Sequence, residues 1–264
     1  MWVDTHSHVN FKAFADDWRE VVERAVAAGV KKIIVVGADW ESSQRAVELA
    51  QEHPALWAAV GIHPHHAKAV TSDQLSVISK QLKELAQSPK VVAIGEIGLD
   101  YHVYKNSKYP STPSISLGTS ALRIKNIDKE LQEQLFEAQM EIAQELNKPV
   151  IIHSREAGEE VLEIARGIRG VFHCFGGSKK YLKKILEAGF YVGFTGQITY
   201  VPDRASVARK VPLDRLLIET DCPYMPPFRE ERRSEPRDVT IIGQFLGGET
   251  EQATTANARR LFEI

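Results

Sequence analysis

Residues 1–10 read Met1-Trp2-Val3-Asp4-Thr5-His6-Ser7-His8-Val9-Asn10, a short apolar start that runs straight into two histidines spaced two apart. A first strand followed by a glycine-rich GxGxxG loop would point to a doubly wound nucleotide-binding sheet. No such loop follows this strand. Working outward from it, strands are expected at 2–6, 32–37, 56–62, 91–96, 149–153, 170–174, 190–194 and 215–220. Runs such as Ile33-Ile34-Val35-Val36, Val150-Ile151-Ile152 and Leu216-Leu217-Ile218 have the continuous apolar character of parallel strands buried on both faces.

Amphipathic stretches fill the intervals, with helices expected at 14–28, 42–53, 72–86, 129–146, 157–166, 179–188, 205–210, 239–245 and 251–262. Ser72 and Ser178 are expected N-caps. Gly29, Gly167 and Gly189 fall just past helices, where a left-handed residue is wanted. Eight strands alternating with helices over 264 residues imply an α/β fold, a (β/α)8 TIM barrel with its site at the C-terminal face. A single domain over 1–264 is expected. One polar stretch with two prolines, 103–126, breaks the rhythm after the fourth strand. It reads either as a tolerated surface insertion or as a flap over the substrate side.

Hydrophobic residues make up 43% and charged residues 26%, an ordinary globular composition. Lys and Arg number 33 against 35 Asp and Glu, a net charge of −2, which excludes a generic basic coat for nucleic acid but not a local basic patch. The two cysteines, Cys174 and Cys222, form no CxxC, so a reducing, cytoplasmic setting without disulfides is expected. No signal peptide or membrane span is read from the chain.

Histidine carries the chemistry. Eight of the nine histidines fall at or just after expected strand ends, and only His53 lies elsewhere. His6 and His8, two apart, can reach one cation from the same side. Asp4 shares that face, either supporting the ligands from below or serving the fold alone. Glu96 ends the fourth strand between Gly95 and Gly98, which are read as giving its carboxylate room to bridge two cations. His153 and His173 each end an apolar strand, and Asp221 follows Leu216-Leu217-Ile218-Glu219-Thr220. Asp221 can bind a cation and also accept a proton from an activated water. Four histidines and two carboxylates exceed the ligands of one catalytic zinc and suit a pair of divalent cations, Zn, Mn or Mg.

Around this set, Asp100 either shapes a turn or supports a ligand, and Glu219 orients a ligand by hydrogen bonding. Arg155 offers paired donors to a phosphate oxygen, or else pairs with a neighbouring loop. Cys174 and Cys222 are read as bystanders. Lys179, Lys180, Lys183 and Lys184, and Arg229, Arg232 and Arg233, either guide a nucleic-acid backbone or are merely solvated. Tyr101, Phe175, Tyr224 and Phe228 could stack on one or two bases.

Six blocks in order carry a resemblance over nearly the whole chain. They are Asp4-Thr5-His6-Ser7-His8, Val60-Gly61-Ile62-His63-Pro64-His65, Gly95-Glu96-Ile97-Gly98-Leu99-Asp100-Tyr101, Pro149-Val150-Ile151-Ile152-His153-Ser154-Arg155, His173-Cys174-Phe175-Gly176-Gly177 and Glu219-Thr220-Asp221-Cys222-Pro223-Tyr224. The sequence resembles the TatD family of metal-dependent deoxyribonucleases, of the wider amidohydrolase-like group. The resemblance implies that His6, His8 and Asp221 hold one cation, that Glu96 bridges, and that His153 and His173 complete a second. It implies Asp221 as proton acceptor, with His63 and Arg155 near the substrate phosphate. DNA, single-stranded or at 3′ ends, is the implied partner, cleaved by two-metal activation of water and in some members as a 3′–5′ exonuclease. The alternative is another metal hydrolase on this scaffold, cleaving a small phosphoester, amide or lactone. The stretch 103–126 departs from relatives, which usually cross this interval in fewer residues.

Overall fold

The first strand, β1 (Trp2–Ser7), is buried along its whole length. Seven further strands follow: β2 (Val30–Val36), β3 (Leu56–Val60), β4 (Val91–Asp100), β5 (Val150–Arg155), β6 (Gly170–Phe172), β7 (Tyr191–Phe194) and β8 (Leu216–Ile218). The computed structural model describes residues 1–70, 72–103 and 128–264. The strands lie in sequence order in one parallel sheet. The seam between last and first is closed by a Ser7–Cys222 bridge, by His8 N–H donating to Cys222 O at 2.9 Å and by Asp221 N–H donating to His6 O at 2.8 Å. The expected TIM barrel is therefore the fold.

Helices alternate with the strands: α1 (Trp18–Ala27), α2 (Trp40–Glu52), α3 (Ser72–Leu85), α4 (Lys129–Glu145), α5 (Gly158–Ile164), α6 (Lys179–Glu187), α7 (Pro202–Ala208), α8 (Val239–Leu246) and α9 (Thr250–Phe262). Alternation along β2 sorts its side chains. Ile34 and Val36 join an inner cluster with Val3, Ala59, Ala93, Ile151, Val171 and Leu217, closed off by Leu261 and Phe262 of α9. Ile33 and Val35 belong to the larger cluster between sheet and helices, with Val21, Leu49, Phe136 and Ile185.

Ser178 caps α6 as expected, accepting from Tyr181 N–H at 3.2 Å. Gly29, Gly167 and Gly189 all have φ near +90°. Three expectations need correction. The expected helix 14–28 is a short 3-10 turn, Lys12–Phe14, followed by α1. α2 begins at Trp40 rather than residue 42, because Asp39 caps it by accepting from Ser42 N–H at 2.8 Å. β4 runs to Asp100, so Asp100 lies on a strand, opposite Arg155 of β5. The insertion expected at 103–126 lies, apart from Val103, outside the described residues, as does the side chain of Ser72. Among the described residues no helix is long and apolar enough to cross a membrane.

Candidate metal centre

Glu96 sits at the middle of the barrel mouth, nearly fully buried. Its Oε1 lies 2.7 Å from His173 Nε2, 2.8 Å from His153 Nδ1 and 3.4 Å from His63 Nε2. Its Oε2 faces His6 Nε2 at 3.5 Å and His8 Nε2 at 3.8 Å. Asp221 Oδ1 closes the far side, 3.4 Å from His8 Nε2 and 3.7 Å from His6 Nε2. All six side chains expected as metal ligands are thus brought together. Three overlapping groups each place their donor atoms within 4.8 Å of one another: His6, His173 and Asp221; His6, His8 and Glu96; and His63, Glu96 and His153.

The strands explain the convergence. Glu96, His153, His173 and Asp221 come from β4, from β5 and from the ends of β6 and β8, and the HxH pair from the end of β1. Gly95 and Gly98 do not serve the Glu96 carboxylate, as the sequence suggested. A Cβ on Gly95 would stand 2.6 Å from Ile151 Cβ, and one on Gly98 only 2.0 Å from His153 O. These glycines let β5 approach β4 closely, and that approach carries His153 to Glu96.

The donors fit divalent cations. His6 Nε2 and His8 Nε2 face each other at 3.1 Å, with carboxylate oxygens on both sides. Lone pairs aimed at one point repel unless a proton or a cation lies among them. The set is imidazole nitrogen and carboxylate oxygen, which suits Mg, Mn or Zn. Burial disfavours charge on Glu96, yet the His173, His63 and His153 imidazoles outweigh it and hold the carboxyl well below the usual carboxylate range. Burial likewise disfavours charge on Asp221, and His8, His6 and His173 hold it low. Burial keeps His6 and His63 below the ordinary imidazole value, in the neutral form that ligates. Against burial, nearby carboxylates raise His8, His153 and His173, so their protons are displaced when a cation binds.

The surroundings answer most of the open readings. Asp4 accepts from Thr220 N–H and Oγ1 across the seam and from the backbone N–H of His6 at 3.3 Å, so it holds the chain beneath the ligands. Glu219 Oε1 accepts from Cys174 N–H at 2.5 Å and lies 3.5 Å from His173 Nδ1, an electrostatic contact too long for a hydrogen bond. His8 Nδ1 donates to Val36 O at 2.9 Å, a support without a sequence signal. Both thiols stay outside the donor groups. Arg155 is exposed two residues beyond His153 on β5. His102 pairs with Glu156 and His53 with Glu23, away from the centre. Arg232 and Arg233 are engaged by Asp238 and Asp17, so they hold the fold together rather than present a free track. Of the four aromatic candidates, Tyr101 and Phe175 are buried and Phe228 is exposed.

A parallel barrel carrying these donor clusters at its C-terminal mouth defines a metal-dependent hydrolase of ester bonds. The family model described as TatD related DNase matches residues 3–263, and the chain belongs to that family. It is 37% identical to the uncharacterized metal-dependent hydrolase YabD of Bacillus subtilis, with all of both chains covered. It is 36% identical to the 3′-5′ ssDNA/RNA exonuclease TatD of Citrobacter rodentium, over 95% of this chain and 94% of that one. Among solved structures, the TatD homologue YjjV of Escherichia coli superposes with a TM-score of 0.84 at 29% identity, covering 100% of this chain and 98% of that one.

Proposed function

We propose that this chain is a divalent-metal-dependent nuclease that hydrolyses phosphodiester bonds of single-stranded DNA, working inward from 3′ ends. One catalytic unit spans the matched residues. The observation that carries the reading is Glu96, whose two oxygens face two different sets of histidines. His6, His8 and Asp221 would hold one cation, and His153 and His173 a second, with Glu96 between. When bound, the cations supply a water of lowered pKa and neutralise charge on the phosphate oxygens.

The chain's own groups do the rest. Asp221, kept ionised by His8 and His6, takes the proton of the attacking water. Water oxygen bonds to phosphorus, the bond to the leaving oxygen breaks, and that oxygen takes up a proton. Arg155 holds a non-bridging oxygen through paired donors, and His63 lines the same side beside Glu96. Affinity concentrated here is compatible with a chain of net charge −2. The relatives named as 3′-5′ ssDNA/RNA exonucleases support the substrate class. The two unpaired cysteines support a cytoplasmic setting.

The test is an assay of 5′-labelled and 3′-labelled single strands with Mg²⁺ or Mn²⁺. A ladder shortening from the 3′ end is expected, lost in a His153→Ala, His173→Ala double substitution. Intact substrate with the loaded protein overturns the reading.

A further inference from the structure

Asp100 stands behind His153. Its Oδ2 lies 3.3 Å from His153 Nε2, while the other ring nitrogen, Nδ1, lies 2.8 Å from Glu96 Oε1. The ring is therefore held between two carboxylates. The same Oδ2 lies 2.6 Å from His65 Nε2. A carboxylate only accepts, so Asp100 draws a hydrogen to Nε2 of each imidazole, while Glu96 draws one to Nδ1 of His153 until a cation takes up that lone pair. A neutral His153 with its hydrogen on Nε2 keeps its lone pair on Nδ1, on the side of Glu96.

Asp100 is itself held firmly. It is buried, and its Oδ1 accepts from His102 N–H at 2.9 Å. Its own N–H donates to Gln132 Oε1 at 2.9 Å, and its carbonyl accepts from Gln132 Nε2 at 3.1 Å, so α4 clamps this residue of β4 from outside. Among the described residues the HxH pair has no such carboxylate support: His8 Nδ1 meets a backbone carbonyl, and His6 Nδ1 has no hydrogen-bond partner there.

We propose that Asp100 is the positioning residue of the centre, fixing His153 with its hydrogen on Nε2 and aiming Nδ1 at the second cation, while tying the segment that carries His65 to the same ligand. The inference rests on the reading of His153 as a ligand. A carboxylate behind a metal-bound histidine fixes its tautomer and raises its basicity, and losing one typically costs about 10–100-fold in metal affinity.

The experiment is calorimetric titration of Mn²⁺ into metal-free wild type, Asp100→Asn and Asp100→Glu, with the His153 tautomer read by ¹H–¹⁵N NMR of the Zn²⁺-loaded protein. In Asp100→Asn, one of two binding steps weakens by about 10–100-fold and the other moves by less than about threefold. Asp100→Glu recovers part of the loss. Thermal unfolding of each metal-free variant separates this from a purely structural role, which would lower the melting temperature and leave both steps alike. Two unchanged steps in Asp100→Asn, or a Zn²⁺-loaded wild type whose His153 carries no hydrogen on Nε2, overturn the inference while the nuclease reading stands. A wild type that takes up no cation overturns both.

Discussion

Asp4 and Thr220 are joined twice across the seam that closes the barrel. Thr220 N–H donates to Asp4 Oδ1 at 2.9 Å, and Thr220 Oγ1 donates to Oδ2 at 2.6 Å. Both residues are fully buried, so neither donor has access to water. Asp4→Ala leaves two buried donors unsatisfied, at about 1–3 kcal/mol each, for a total loss of roughly 2–6 kcal/mol. Asp4→Asn keeps one acceptor and costs less. Urea unfolding of the metal-free protein reads both. A change under about 0.5 kcal/mol in Asp4→Ala would show that the seam does not depend on this pair.

Glu219 reaches the centre only because Gly193 makes room for it. A Cβ on Gly193 would stand 2.5 Å from Glu219 Oε2 and 2.9 Å from its Cδ. Gly193 pairs with Leu217 in the sheet, so the backbone cannot easily give way. Gly193→Ala displaces the carboxylate from Cys174 N–H and from beside His173, with an overpacking cost of about 1–3 kcal/mol. The expected outcome is a melting temperature lower by roughly 2–12 °C together with weaker cation binding. Unchanged cation binding in a destabilised variant would reduce Glu219 to a fold residue.

The strand count and the gathering of the six candidate ligands were legible because these residues lie at the ends of apolar runs, and parallel strands in register bring their ends to one mouth. The supports were less legible. Val36 O, Gln132 and Thr220 lie far along the chain from the side chains they hold, and no local pattern marks them. Glycine was the ambiguous letter. Gly95 and Gly98 read as breathing space for Glu96, whereas they permit close strand pairing and extend β4 to Asp100. The start of α1 depends on Arg233, which binds Ala13 O and Asp17 from more than 200 residues away. Asp39 as the cap of α2 was open to sequence, since it stands three residues before Ser42.

Cys174 follows His173 and sits beside Thr195 and Met225, at a left-handed φ of 42°. Burial, with Asp221 adding to it, pushes its thiol up to about 12. Cys222 is fully buried, and burial raises it well above the ordinary thiol value. The thiolate is the reactive form, so both cysteines of the folded, metal-free protein stay silent to a maleimide at pH 8. The folded pKa exceeds the unfolded one, so the stabilisation from the neutral thiol is complete below the ordinary value of 9.0 and is lost as pH rises through about 12. Labelling of the native protein is expected to be about 100-fold or more slower than in denaturant, where two thiols react. Fast native labelling at pH 8 contradicts this packing.

Arg155 lies two residues beyond His153 on β5, which places both on the same side of the strand. Its carbonyl accepts from Tyr101 N–H at 2.9 Å, so the backbone is anchored while the residue stays exposed at the rim. A guanidinium there can meet a phosphate with two parallel donors, which an ammonium cannot do. In Arg155→Ala, KM for a short single strand rises by about 10–100-fold, the equivalent of roughly 1–3 kcal/mol, with kcat changed less. Arg155→Lys recovers little of it. Removing one phosphate contact also lowers the salt slope of binding by somewhat under one. Cation binding, followed separately, stays at wild-type strength, because Arg155 belongs to none of the donor groups. A wild-type KM in Arg155→Ala assigns this arginine to its own loop instead of the substrate.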